Sequence, residues 1–207
     1  YMDEIQYRKG PSGIGRDLGL DWQATSALHL NLRGFLNTIS DAIVTNIVSA
    51  VPSQVRSENA GGARSAGFEV DTRYTLGSGL TAFANLTHTR TRVSDTLNPG
   101  HDGSQIPFAP ARLANAGLVV PLPGELTLAA YYHWVGRYYD STDRSARLPF
   151  GNYGVFNLRV QKLLVRSADA TVLLTADLNN LTDRQYWMPF DFRDPGINGF
   201  AGVEVRY

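Results

Sequence analysis

Cysteine is absent from the 207 residues, which excludes a disulfide framework and a thiolate metal site and leaves the redox compartment unreadable from this residue. Also missing is any run of the roughly 18 consecutive apolar residues that a membrane-spanning helix requires. The N-terminal stretch YMDEIQYRKG has neither an apolar h-region nor an initiator methionine, so no signal peptide is expected, and an opening on Tyr1 reads as a mature product or a piece of a longer chain. Neither sign of charge is in excess, with 19 basic against 19 acidic residues, so nothing draws the chain to nucleic acid and no such partner is expected.

Catalytic signatures are equally scarce. There is no HExxH, GxSxG, phosphate-binding loop or GxGxxG ahead of a helix, so no enzymatic activity, cofactor or metal is expected. His29, His88, His101 and His133 fall on separate segments without metal-ligand spacing. His133, Asp140 and Ser141 could gather a hydrolase site only by nearness in sequence, and His101-Asp102 reads as solvated loop. Asn85-Leu86-Thr87 and Asn180-Leu181-Thr182 match the glycan acceptor pattern, which chance explains in strands of this kind.

What the chain has in abundance is a period of two. Leu28, Leu30 and Leu32 alternate with His29, Asn31 and Arg33; Phe68, Val70, Thr72 and Tyr74 alternate with Glu69, Asp71 and Arg73. Phe156, Leu158 and Val160 alternate with Asn157, Arg159 and Gln161, and Val172, Leu174, Ala176 and Leu178 with Leu173, Thr175, Asp177 and Asn179. Such alternation places apolar and polar side chains on opposite faces of strands. Strands are expected at residues 13–25, 27–46, 63–76, 80–95, 110–122, 126–140, 152–165, 171–186 and 197–207, with residues 3–9 as the end of an earlier one. Several exceed the usual ~5–6 residues and match the ~9–11 that cross a bilayer at a tilt.

The connections alternate in size. Short ones near residue 25 and at 77–79, 122–125 and 166–170 take turns with long ones such as VSAVPSQVRSENAGG, SDTLNPGHDGSQIPFA, DSTDRSARLPFGN and WMPFDFRDPGING. Tight turns at one end and long loops at the other are the construction of outer-membrane barrels. The fold class expected is all-β, an antiparallel transmembrane β-barrel or the C-terminal nine to ten strands of a larger one, with residues 1–207 as a single barrel region. Trp134, Tyr138, Tyr139, Tyr186 and Trp187 sit near strand ends, as an interface girdle requires. Arg33, Arg73, Arg159 and Asp177 are expected to face a lumen, together with Arg90 and Arg92.

The last stretch, GFAGVEVRY, keeps Ala201, Val203, Val205 and Tyr207 on one face. It resembles the C-terminal assembly signal of bacterial outer-membrane proteins, which implies the barrel-insertion machinery and outer-membrane lipid as partners. LHLNLRGFLNTISDAIV, ARSAGFEVDTRY, LTAFANLTHTRTRV, IPFAPARLANAGLVVPL and LTADLNNLTDRQYW before GVEVRY resemble, in order and spacing, the C-terminal portion of TonB-dependent outer-membrane receptors. Such receptors have about 22 strands and a plugged lumen. The resemblance implies a place in the bacterial outer membrane and uptake of a scarce nutrient, such as an iron-siderophore complex or cobalamin. This chain would supply wall and extracellular loops, with the plug absent, so the energy-transducing TonB complex would be a partner only where a plug is present. A self-contained small barrel acting as a passive pore or scaffold, and a soluble β-sandwich binding module, are the alternatives.

Overall fold

The computed structural model describes residues 10–50 and 53–207. Its strands are β1 (Ser12–Gln23), β2 (Leu28–Ala50), β3 (Ser53–Thr75), β4 (Thr81–Asp95), β5 (Arg112–Leu122), β6 (Leu126–Val135), β7 (Tyr138–Tyr139), β8 (Pro149–Phe150), β9 (Tyr153–Arg166), β10 (Thr171–Asn179) and β11 (Asn198–Arg206). Nine of them form one antiparallel sheet in the order β1-β2-β3-β4-β5-β6-β9-β10-β11, while β7 and β8 pair only with each other. Each strand of the sheet therefore lies beside its neighbour in sequence, the up-and-down meander that hairpin connections produce. Among the described residues β1 and β11 are the edges, each paired on one side.

The register sorts the side chains as the alternation requires. Leu20, Leu32, Val70, Leu86, Ala114 and Trp134 are successive partners across six strands, and the next row toward the short turns is Trp22, Leu30, Thr72, Ala84, Ala116, Tyr132 and Phe156. On β9 to β11 the same face carries Val160, Ala176 and Ala201, then Leu174 and Val203. This apolar face is left open: Leu18 is 82% exposed, Leu20 53% and Val203 63%. A large exposed apolar surface of this kind needs a non-aqueous neighbour. The opposite face carries most of the polar and charged residues. Gly117 lies on it, and a Cβ there would come within 2.9 Å of the Phe83 ring, so the glycine lets the aromatic lie flat across the strand.

The turns near one end are tight. Leu76–Leu80 closes with the Gly79 amide donating to Leu76 O at 2.8 Å, Gly79 and Gly124 hold positive φ, and Ser167–Ala170 closes through both backbone and hydroxyl. At the other end the connections are long, and the buried side chains collect there: Thr91, Asp95, Ser104, Val135, Tyr138, Val155, Asn157, Asn180 and Asp194. The compact part of the molecule is thus not a sheet-on-sheet core but the loop end.

Three boundaries differ from the alternation-based expectation. Residues 47–50 and 53–62, expected as loop, belong to β2 and β3, which continue to Ala50↔Ser53 with register shifts at Ile39/Ala42, Ala42/Ile43 and Ile47/Ser49. Ile43, Val44, Thr45, Ile47 and Val55 favour strands, and bulges beside Asp41 (φ 57°) absorb the change of register that hides the pattern. The segment 126–140 pairs in the main sheet only to Val135, because beyond it Gly136 crosses Arg112 closely enough for a Cβ to meet its carbonyl at 3.0 Å. The segment 171–186 ends at Asn179 because Asn180 turns the chain with φ 53°. Residues 3–9 lie outside the described residues.

Candidate functional site: the polar face and the outer loop cluster

Polar side chains join laterally across the sheet. Asp21, Asn31, Asp71, Asn85, Asn115 and His133 occupy successive partner positions from β1 to β6. The His29 ring reaches Asp21 at 2.8 Å, Asn31 Nδ2 donates to Asp21 at 3.4 Å, Asn115 Nδ2 donates to Asn85 Oδ1 at 2.7 Å, and His133 Nδ1 donates to Asn115 Oδ1 at 2.6 Å. Further along, Arg159 makes a two-pronged contact with Asp177, Nε at 2.6 Å and Nη2 at 3.2 Å. Arg33 lies 3.8 Å from Asp17 and 3.5 Å from Glu69, and Arg73 sits between His29 and Phe83 on the same face. Arg33, Arg73, Arg159 and Asp177 therefore share one polar surface. Arg90 and Arg92 do not. Their partners are Ala66 and Arg64, in line with Leu86 and Phe68, so the expectation that they join the polar face is corrected: the period of two in β4 runs Ala82, Ala84, Leu86, His88, Arg90, Arg92.

At the far end three loops lock together. In loop 96–111 the Asp95 carboxylate accepts from the amides of Leu97 and Asn98, both at 3.0 Å, and from the Asn98 side chain. This loop holds loop 136–152: Ser104 Oγ donates to Thr142 O at 2.6 Å, Arg144 donates to Pro99 O and Gly100 O, and the Phe108 amide donates to Tyr139 O at 2.8 Å. Asp143, at the turn of the second loop, is held below the ordinary carboxylate range by the Ser145 hydroxyl and amide. Charge-assisted hydrogen bonds of this type tie a loop without a hydrophobic core.

The third loop, 180–197, is organised by Asn180, which is 3% exposed. Its amide donates to Asn157 Oδ1 at 3.0 Å, its Nδ2 donates to Arg184 O and to Asp194 Oδ1 at 2.7 Å, and its Oδ1 accepts from the Arg184 amide at 2.9 Å. Asp194 then takes the Gly196 amide at 2.8 Å. Asparagine fits because it tolerates the left-handed backbone and carries both a donor and an acceptor. Tyr186 stacks on Tyr153 at 3.6 Å, and burial together with its hydrogen bond to Asp194 pushes its phenol well above the usual tyrosine range. Phe108 stacks on Phe190 at 5.7 Å, joining the first and third loops. Between them opens a cavity of about 390 Å³ lined by Phe108, Leu113, Tyr138, Tyr153, Pro189 and Phe190. Leu113, Val135 and Tyr153 are polar-face positions, so the cavity opens on that side of the sheet.

The aromatics expected as a girdle occupy different settings. Trp134 lies on the apolar face; Tyr138 is buried against Phe150; Tyr139 carries the Arg147 guanidinium at 3.8 Å; Tyr186 is in the loop stack; and Trp187 is 51% exposed beneath Arg193. His133, Asp140 and Ser141 are used separately, by Asn115, by the Leu148 amide and by the Asp143 amide. Among the described residues no group of three His, Cys, Asp or Glu is placed to hold a metal. Asn180, inside a glycan acceptor pattern, is spent on internal bonds. Asn157, Asp194, Phe108 and Phe190 were not expected from the sequence; the Asp194-Pro195-Gly196 turn was the available signal.

A profile of the family described as TonB dependent receptor-like, beta-barrel, matches residues 12–181. This chain belongs to that family. TonB-dependent receptors reside in the bacterial outer membrane, and the sheet is accordingly part of a transmembrane β-barrel. No curated protein sequence matches it. Among solved structures it is similar to the FrpB iron transporter from Neisseria meningitidis (20% identity, 95% of this chain and 31% of that chain, TM-score 0.72). It is similar also to the copper transporter OprC (19%, 97% and 31%, 0.71) and to BauA, the ferric preacinetobactin receptor from Acinetobacter baumannii (16%, 93% and 29%, 0.69). The TonB-dependent receptor chain described here spans about a third of the length of those structures.

Two outcomes follow from the Asn180 centre. Asn180→Ala removes the three side-chain hydrogen bonds to Arg184 and Asp194 and forces alanine into a left-handed conformation, at a cost on the order of 2 kcal/mol or more; hydrogen exchange at the Arg184 and Gly196 amides should accelerate by roughly tenfold or more, whereas Asn180→Gly, which keeps the backbone, should accelerate it less. Because the folded Tyr186 phenol binds its proton more tightly than the unfolded one, loop stability is fully present below the ordinary tyrosine value of about 10 and falls as pH rises above it. A spectrophotometric tyrosine titration should show a late-ionising phase that Tyr186→Phe removes.

Proposed function

We propose that this chain forms wall and extracellular loops of a receptor that takes up a scarce nutrient, such as an iron-siderophore complex or cobalamin, with ligand first met by the loop cluster. The observation that carries the reading is the aromatic cavity between Phe108, Tyr138, Tyr153 and Phe190, held open by hydrogen-bonded loops and facing the same side as the polar rows. Preformed concave sites with aromatic walls suit bulky chelates or macrocycles. The iron, copper and ferric preacinetobactin transport named for the similar structures supports a metal-chelate cargo.

In this reading the polar face is the lumen. Arg33, Arg73, Arg159 and Asp177 line it, where a plug borne by the same receptor polypeptide would find charge partners, and such a plug would couple to the TonB complex. The apolar face meets lipid, with Trp134 at its outer end near the interface. The β11 edge, with Ala201, Val203, Val205 and Tyr207 in phase, is the strand that the insertion machinery captures by strand addition. The residues 1–207 act as one barrel region.

The test is uptake by cells carrying the receptor polypeptide that contains this chain, set against its deletion, over a panel of labelled ferric siderophores, copper chelates and cobalamin. Receptor-dependent accumulation of one ligand is expected, reduced at least about tenfold by paired Phe108→Ala and Phe190→Ala with surface expression unchanged. Equal accumulation of every ligand with and without the receptor contradicts the reading.

A further inference from the structure

The displaced arginines Arg90 and Arg92 belong to a larger group. Tracing the rows of the apolar face toward the long loops gives Leu18, Gly34, Phe68, His88 and Arg112, then Arg16, Leu36, Ala66 and Arg90, then Ile14, Thr38, Arg64 and Arg92. Five arginines thus stand on one side of five adjacent strands, and no aspartate or glutamate occupies any position in these rows. Among the described residues the ion pairs made by arginine belong to Arg33, Arg159 and Arg206, at other places in the sheet. Arg64, Arg90 and Arg92 are exposed and converge with Ala66 on a depression of about 340 Å³. Above it a second depression is lined by Arg64, Arg92, Ser94 and Asp41.

Immediately below, toward the short turns, the same face is hollowed. Leu18, Leu20, Leu32, Phe68 and Val70 surround the gap left by Gly34, forming an apolar cavity of about 440 Å³. A basic shelf therefore lies directly above an apolar groove, on the side of the sheet that bears no other charged cluster. Successive same-face rows are about 7 Å apart and adjacent strands about 4.8 Å apart, so the shelf spans ~19 Å from Arg16 on β1 to Arg112 on β5. That separation and polarity match an amphiphile with a phosphorylated sugar head and several acyl chains. Guanidinium groups pair with phosphate through two parallel hydrogen bonds, and arginine carbon stems lie along apolar surface while the head stays polar.

We infer that Arg16, Arg64, Arg90, Arg92 and Arg112 form a docking surface for a phosphorylated glycolipid of the outer leaflet, with an acyl chain in the groove at Gly34. The assignment rests on the apolar face meeting lipid and is independent of which nutrient is taken up. It also explains why these arginines lie on that face: they mark the height at which hydrocarbon gives way to anionic headgroups.

The test is native mass spectrometry of the detergent-purified receptor polypeptide carrying this chain, with bisphosphorylated lipid A as probe, its dephosphorylated form as comparison and inorganic phosphate as competitor. The wild type should retain the phosphorylated lipid, and Arg64→Gln with Arg90→Gln and Arg92→Gln should reduce the bound fraction by about tenfold or more, while Arg166→Gln near the opposite end leaves it unchanged. Folding of each variant is checked by heat-modifiable electrophoretic mobility; if the triple variant does not fold, the single Arg90→Gln should give a smaller but measurable loss. Equal retention by the folded triple variant, equal retention of the dephosphorylated lipid, or displacement by inorganic phosphate overturns the assignment. Loss of nutrient uptake with lipid retention intact would bear on the proposed function alone.

Discussion

Every peptide group that lies in hydrocarbon must be hydrogen-bonded within the protein, since no water is there to replace a missing partner. This constraint governs the chain more than any side-chain contact does. It accounts for continuous antiparallel ladders from β1 to β11, for turns as short as Leu76–Leu80 at one end, and for the near absence of a buried side-chain core in the sheet. A soluble sheet of this size would cover one face with another layer. Here the apolar face carries Leu18, Leu20, Val203 and Val205 in the open, and its partner is the bilayer.

With the backbone satisfied by the ladder, side chains are free to specialise by face. On one face, asparagines, carboxylates, histidines and arginines link strand to strand; the bonds from Asn85 through Asn115 to His133 tie three strands side by side. On the other, aliphatic residues continue until the arginines begin. At the loop end water returns, and hydrogen bonding again becomes the means of holding irregular chain in place. The buried Asn180 stands where β10 leaves the ladder, and its side chain supplies the partners that the next strand no longer does. The proposed function follows from this division: a rigid wall, a polar surface on one side of it, and ordered loops that hold an aromatic cavity open.

Strand identity was legible because each residue reports its own face, and most predicted strand ends fall within a few residues of those observed. Legibility failed where the backbone departs from the simple period. Bulges near Asp41 shift the phase of β2 against β3, so paired residues up to Ala50 and Ser53 read as loop. Arg90 and Arg92 were assigned by charge to the polar side although their phase with Leu86 puts them on the other; the period was the better guide. The loop cluster was hardest to read, because Asn157, Asn180 and Asp194 meet only through chain reversal, and no local pattern states that a polar residue in a turn will be buried. The stretch NNLTDRQYW announced a turn, but not that its second asparagine would anchor two loops' worth of contacts to the sheet.

The central claim is that the two faces of this sheet meet different media. Because the chain contains no cysteine of its own, single cysteines can be placed at each position from Ala82 to Thr89 on β4 in the receptor, with any cysteine elsewhere in the polypeptide replaced by serine, reconstituted in lipid vesicles, spin-labelled, and compared for collision with oxygen and with a water-soluble nickel chelate. Oxygen accessibility is predicted to peak at Ala82, Ala84 and Leu86 and nickel accessibility at Phe83, Asn85 and Thr87. The opposite phase, or no alternation at all, would contradict the account.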